Sequence, residues 1–165
     1  MTTKEILLEQ FNAAYDENGW FVALKNTFNN LSAEDAAWKP DGVDNSIWGI
    51  VRHLNFYNER FLKKFKGEKV KELEIENSET FAGAEGVSDE AWRAEIERFD
   101  RVMNGWRSAF EAADEEKFRE IYYEENQTTW AQVVGLMNTH HAHHGGQIVV
   151  LRKLQGSWDA SKGVS

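Results

Sequence analysis

Residues 129–154, TWAQVVGLMNTHHAHHGGQIVVLRKL, decide the fold class of this chain. Trp130, Val133 and Met137, then Ile148, Leu151 and Leu154, recur at the spacing of a helix with one buried side. Thr128 or Thr129 suits the N-cap, and Gly156 suits the stop. A helix this long reaches roughly 30–40 Å at about 1.5 Å per residue. Such a helix must bury its apolar face against others of similar length.

Three further segments supply those partners. The first runs from about Lys4 to Asn29, with Leu7, Phe11, Ala14, Phe21, Leu24 and Phe28 at helical spacing and a break or bend at Asn18-Gly19. Ser32 and Asp35 open a short turn or helix that must stop near Pro40, the only proline. The second long helix spans about Ser46 to Lys66, capped by Asn45 or Ser46, with Ile47, Ile50, Leu54, Tyr57, Phe61 and Phe65 as its stripe. Residues 67–87 have no sustained period and form a long connection. The third long helix starts at Ser88 and carries Trp92, Ile96, Phe99, Met103, Trp106 and Phe110 in steady alternation. Residues 111–127 are an acidic connection in which Phe118, Ile121 and Tyr122 form a short strand or turn. The expectation is one all-α domain over residues 1–165, a four-helix bundle.

Composition narrows the function. The 165 residues fit a single domain. There is no cysteine, which excludes a disulfide scaffold, a thiolate metal site and a Cys nucleophile. Lys and Arg number 19 against 28 Asp and Glu, a net charge of −9 that opposes binding to nucleic acid. Mean hydropathy is −0.63, and no apolar run suits a membrane span. The first residues, MTTKEILLEQFNAAYDENG, lack a signal-peptide core, so a soluble cytoplasmic protein is expected. No phosphate loop, dinucleotide fingerprint or serine elbow occurs.

All five histidines fall in two places: His53, and the run His140, His141, His143 and His144. The spacing of Trp130, Met137, His144 and Leu151 puts His144 on the inward stripe, among apolar positions. His140 lies one turn earlier and about 40° around the helix, which brings the two imidazoles together on one face. His-x-x-x-His is a common chelating spacing. His141 lies about 60° to the other side of His144 and His143 about 100° away, as rim or solvent residues. His53 sits at the edge of the second helix's stripe, from which it can reach a cleft between helices. Two readings stand: a three-His site for a divalent metal, or histidines that only pack or face solvent. Burying bare imidazoles without partners is costly, which favours the metal.

The run His140-His141-Ala142-His143-His144-Gly145-Gly146-Gln147, with the aliphatic residues after it, resembles the signature helix of the DinB-like (DinB/YfiT) superfamily of metal-dependent proteins. Ser46-Ile47-Trp48-Gly49-Ile50-Val51-Arg52-His53-Leu54-Asn55 is similar to that family's second-helix motif. The order of helices and connection lengths match over nearly the whole chain. The resemblance implies an up-down-down-up bundle, often a homodimer, with His53, His140 and His144 as ligands of one divalent metal: nickel, zinc, iron or manganese. His141 and His143 do not fit the ligand pattern, so a shifted pair such as His141 with His144 stays open.

Three functions follow. The resemblance implies a metal-dependent thiol S-transferase that uses a low-molecular-weight thiol such as bacillithiol or mycothiol on a small-molecule substrate. The second is a hydrolase in which metal-held hydroxide attacks, with a base from elsewhere, such as Glu59. The third is a non-catalytic bundle that the metal stabilises. Tyr57, one turn beyond His53, can exchange a proton near the metal or serve only as a core tyrosine. Gln147 can seat a ligand histidine, orient a water or cap a polar gap. Trp20 and Phe21 wall a pocket or pack in the core. The connections at 67–87 and 111–127 shape specificity.

Overall fold

The computed structural model describes residues 1–82 and 86–162. Helix α1 spans Thr3–Tyr15, α2 Leu24–Thr27, α3 Ala33–Ala37, α4 Ile47–Phe65, α5 Asp89–Ala112, α6 Glu115–Arg119 and α7 Trp130–Gln155. A 3-10 turn, Asn77–Phe81, lies between α4 and α5. Strands β1 (Ile121–Tyr123) and β2 (Thr128–Thr129) pair antiparallel just before α7.

Side-chain hydroxyls start the four long helices. Thr2 and Glu5 form a capping box on α1, and Thr129 and Gln132 form one on α7. Ser46 accepts from Gly49 N on α4, and Ser88 accepts from Ala91 N on α5. Each cap satisfies a backbone donor that the helix leaves without a partner. Gly156 ends α7 at φ +78°, a conformation that favours glycine.

Contacts give the direction of each helix. Trp48 meets Trp92, Leu62 lies on Gly105 and Phe65 meets Phe110, so α4 and α5 run parallel. Lys4 Nζ donates to Glu111 O and Tyr15 OH to Asp100, so α1 is antiparallel to α5. Phe65 meets Trp130 and Asn58 meets His141, so α7 is antiparallel to α4. Leu7 O accepts from Asn138 and Phe11 abuts His141, so α7 is parallel to α1. The bundle is therefore up-down-down-up. The parallel pair α4 and α5 explains the long connection, which must return the chain along the bundle. Residues 83–85 of that connection lie outside the described residues.

Large rings fill the centre. Phe11, Phe99, Trp106, Phe110 and Phe118 are wholly buried, and Phe11 stands edge-on to Phe110 at 5.2 Å. Trp106 Nε1 donates to Asn58 O at 3.0 Å, so the largest core ring leaves no orphan donor. No helix among the described residues is long and apolar enough to cross a membrane.

Several local expectations are corrected. The first long segment is two helices separated by an irregular stretch, because Asn18 Oδ1 accepts from Ala23 N at 2.9 Å and turns the chain. Trp20 is fully exposed and Phe21 is 40% exposed; neither walls the cleft below or joins the core. Leu154 is exposed, whereas Leu151 and Arg152 in the same turn are buried, so it lies on the outer face of α7. Within residues 111–127, Phe118 belongs to the short helix α6, whereas Ile121 and Tyr122 are in β1. On α4 the buried arc is centred on Val51, Leu54 and Asn58, which leaves Tyr57 and Phe61 half-buried at its edge.

Candidate metal centre

The strongest chemical signal in the bundle lies between α4 and α7. His53 Nε2 is 3.1 Å from His140 Nε2, and His144 Nε2 is 2.9 Å from that same atom. His53 and His144 are buried and His140 is half-buried. His140 and His144 are stacked one helical turn apart on α7, as their spacing predicts. The antiparallel crossing of α4 brings in His53.

The outer nitrogens determine where the hydrogens sit. Thr80 Oγ1 donates its hydrogen to Asn77 O at 2.6 Å. It can therefore only accept from His53 Nδ1, at 2.7 Å. Gln147 Oε1 accepts from His144 Nδ1 at 2.7 Å. Both rings carry their hydrogen on Nδ1, so both Nε2 atoms present bare lone pairs. His140 Nε2 can hold at most one hydrogen. At least one of the two close N···N contacts therefore has no hydrogen between its atoms.

A proton does not resolve the crowding at neutral pH. Burial pushes His53 down to about 3, helped by the nearby His144 and His140. Burial and the neighbouring His140 bring His144 to about 4. His140 is lowered as well, first by burial and then by His143. Three convergent imidazole nitrogens whose rings resist taking up a proton call for another cation. Two nitrogens on one ion at about 2.0–2.1 Å stand about 2.8–3.4 Å apart, a range that contains both observed separations. The outer partners Thr80 and Gln147 also match the usual support of metal-bound imidazole. The donor set fits a divalent ion.

Gly49 makes room for this arrangement. A Cβ there would lie 2.8 Å from Phe81 O. Its absence lets the 3-10 turn rest on α4, one turn from His53. Thr80 then reaches the ring edge, and Phe81 stacks on the ring face at 3.9 Å.

His141 is not a rim residue. It is wholly buried on an adjoining face of α7, where its Nε2 lies 2.8 Å from Asn58 Oδ1. Burial holds it at about 3. The convergent set is His53, His140 and His144, without His141, so the alternative pair with His144 does not form. His143 is exposed, and its Nε2 accepts from Gln147 Nε2 at 3.1 Å. The neighbours of His144 are not wholly apolar either; they include His140, Gln147 and Phe81.

The three histidines line a cleft of about 730 Å³, within the usual size range for a small-molecule site. Phe61, Phe81, Val133, Leu136 and Met137 form its apolar walls. Tyr57 lines it too, with its ring 5.0 Å from that of His53 and its hydroxyl donating to Asn77 Oδ1 at 3.1 Å. Both long connections contribute, one through Asn77 and Phe81 and the other through Tyr123 and Asn126. Glu59 does not reach the cleft. It pairs with Arg98 and Lys63, and the Arg98 hydrogen bond holds its carboxyl below the usual range. Thr80, Asn58 and Phe81 went unread in the sequence, because each matters through packing that local spacing does not encode.

No curated protein and no solved structure gives a match to this chain. The family model of the DinB superfamily matches residues 21–148, from before α2 through both histidine-bearing helices. That stretch is most of the chain and includes all three clustered histidines, so the protein belongs to the DinB superfamily.

Proposed function

We propose that this protein is a divalent-metal-dependent enzyme that joins a small thiol, intact and through its sulfur, to an electrophile. His53, His140 and His144 hold the ion. One observation carries the reading: three imidazole Nε2 atoms converge on one point in the wall of an open cleft. A bound divalent cation supplies Lewis acidity, which lowers the pKa of a thiol that reaches it.

The chain's own residues have distinct tasks. Thr80 and Gln147 keep hydrogens on the outer nitrogens of His53 and His144, and so act as positioning residues. Phe81 covers the His53 ring and keeps water from that side. Tyr57 holds a hydroxyl at the cleft wall beside His53, where it can share a proton with a substrate oxygen.

Thiol conjugation is favoured over hydrolysis by the cleft lining. No Asp or Glu occurs among the described residues that line it. Activating water there would lack a carboxylate base, whereas a thiol held by a cation needs none. The test is thiol conjugation to monochlorobimane by metal-loaded protein, across several low-molecular-weight thiols. A rate above background that His53→Ala abolishes is the expected result. Equal rates in wild type and variant would refute the reading.

A further inference from the structure

In a chain where 28% of residues are charged, the cleft has an unusual lining. Among the described residues, none of those that line it is Lys, Arg, Asp or Glu. Its polar groups are carboxamides, hydroxyls and imidazoles. Two of the carboxamides are held in place from their oxygen side: Asn77 Oδ1 accepts from Tyr57 OH, and Asn126 Oδ1 accepts from Thr128 N and Oγ1. Their amide N–H₂ groups are left as donors for a ligand. The apolar walls supply the rest of the contact.

Such a lining discriminates by charge. A carboxylate or phosphate entering it away from the three histidines loses hydration and meets no cationic side chain in return. A carbonyl or hydroxyl oxygen loses far less and gains the carboxamide donors. The net charge of −9 adds a long-range repulsion of anions.

We infer that the cleft takes an uncharged, partly apolar organic molecule with neutral acceptor oxygens, and rejects anionic ones. This rests on the proposed function only in treating the three-His site as the reacting site. It narrows both the thiol and the electrophile to molecules without carboxylate or phosphate away from the sulfur.

The experiment uses a matched pair of fluorophores, neutral N-phenylnaphthylamine and its ring-sulfonated analogue, with the full chain after EDTA dialysis, so that no bound cation pairs with the sulfonate. Titrations are run in 1 M salt, where screening over about 3 Å suppresses the net-charge effect. The neutral probe is expected to bind at least about tenfold tighter, the equivalent of about 1.4 kcal/mol for an unpaired charge. Met137→Trp, which fills the cleft, should weaken the neutral probe. Leu136→Lys, on the exposed rim of α7, should narrow the gap by giving the sulfonate a partner, and it keeps the test sharp if Met137→Trp misfolds. Equal affinity for both probes, no binding of either, or a gap untouched by Leu136→Lys would overturn the inference. Neither metal nor turnover is needed, so this result stands apart from the thiol-transfer assay.

Discussion

His53 and Thr80 are 27 positions apart in sequence, yet the ring Nδ1–H donates to the threonine hydroxyl at 2.7 Å. That hydroxyl has already given its own hydrogen to Asn77 O. The bond therefore has a single direction and aims the His53 Nε2 lone pair at His140. Thr80→Val keeps the shape and removes the acceptor. Metal affinity, measured by competition with a chelator, is expected to fall by about 10–100-fold while the far-UV spectrum is unchanged. Unaltered affinity would mean that Thr80 does not orient the ring.

Gly49 has no side chain to reach the histidine rings, but it should control the cluster. In Gly49→Ala the new methyl group would meet Phe81 O at 2.8 Å, and backbone must move to admit it. A cost of about 1–3 kcal/mol in unfolding free energy is expected. Metal affinity should fall as well, because Thr80 moves with the turn. Chemical denaturation and metal titration of the variant check the two effects separately.

His141 stands next to a proposed ligand and should behave unlike one. His141→Leu leaves Asn58 Oδ1 buried without its partner, at a cost of about 1–3 kcal/mol. The metal content of the variant should equal that of wild type. Loss of metal in His141→Leu, with the ion retained in His140→Ala, would restore the shifted pair.

The pH dependence follows from the buried imidazoles. His53 and His141 stay neutral in the folded chain down to about 3, and His144 down to about 4. In the unfolded chain each takes up a proton near its ordinary pKa of about 6.5. Between these values the unfolded state binds more protons, so stability is full above about pH 6.5 and is lost as pH falls below it. Wholly buried His141 should contribute a slope approaching 1.4 kcal/mol per pH unit, with about 1.4 as its ceiling. Melting temperatures of metal-free protein between about pH 8 and pH 4.5 should show this decline, flattened in His141→Leu. A flat wild-type curve would contradict it.

The long helices and the meeting of His140 with His144 were legible because they depend on spacing along one helix. Ser46, Ser88 and Thr129 cap where their side chains suggest they should. The irregular stretch after Tyr15 was only half legible. Asn18-Gly19 marks a break, but nothing local says that Asn18 will cap Ala23. His141 was misread for a related reason. The angle around α7 places it off the His144 face, and the packing of Phe11 from α1 and Asn58 from α4 makes that side interior. Thr80 lay in a stretch without periodicity, and its role depends on Gly49, 31 positions earlier, leaving room for the turn.

The most direct test of the metal centre is elemental analysis of purified, untagged protein beside His53→Ala, His140→Ala and His144→Ala, each checked for helical content. One divalent ion per chain in the wild type, lost from all three folded variants, is the expected result. Undiminished metal in the variants would contradict it, as would a wild type that takes up none of nickel, zinc, iron or manganese.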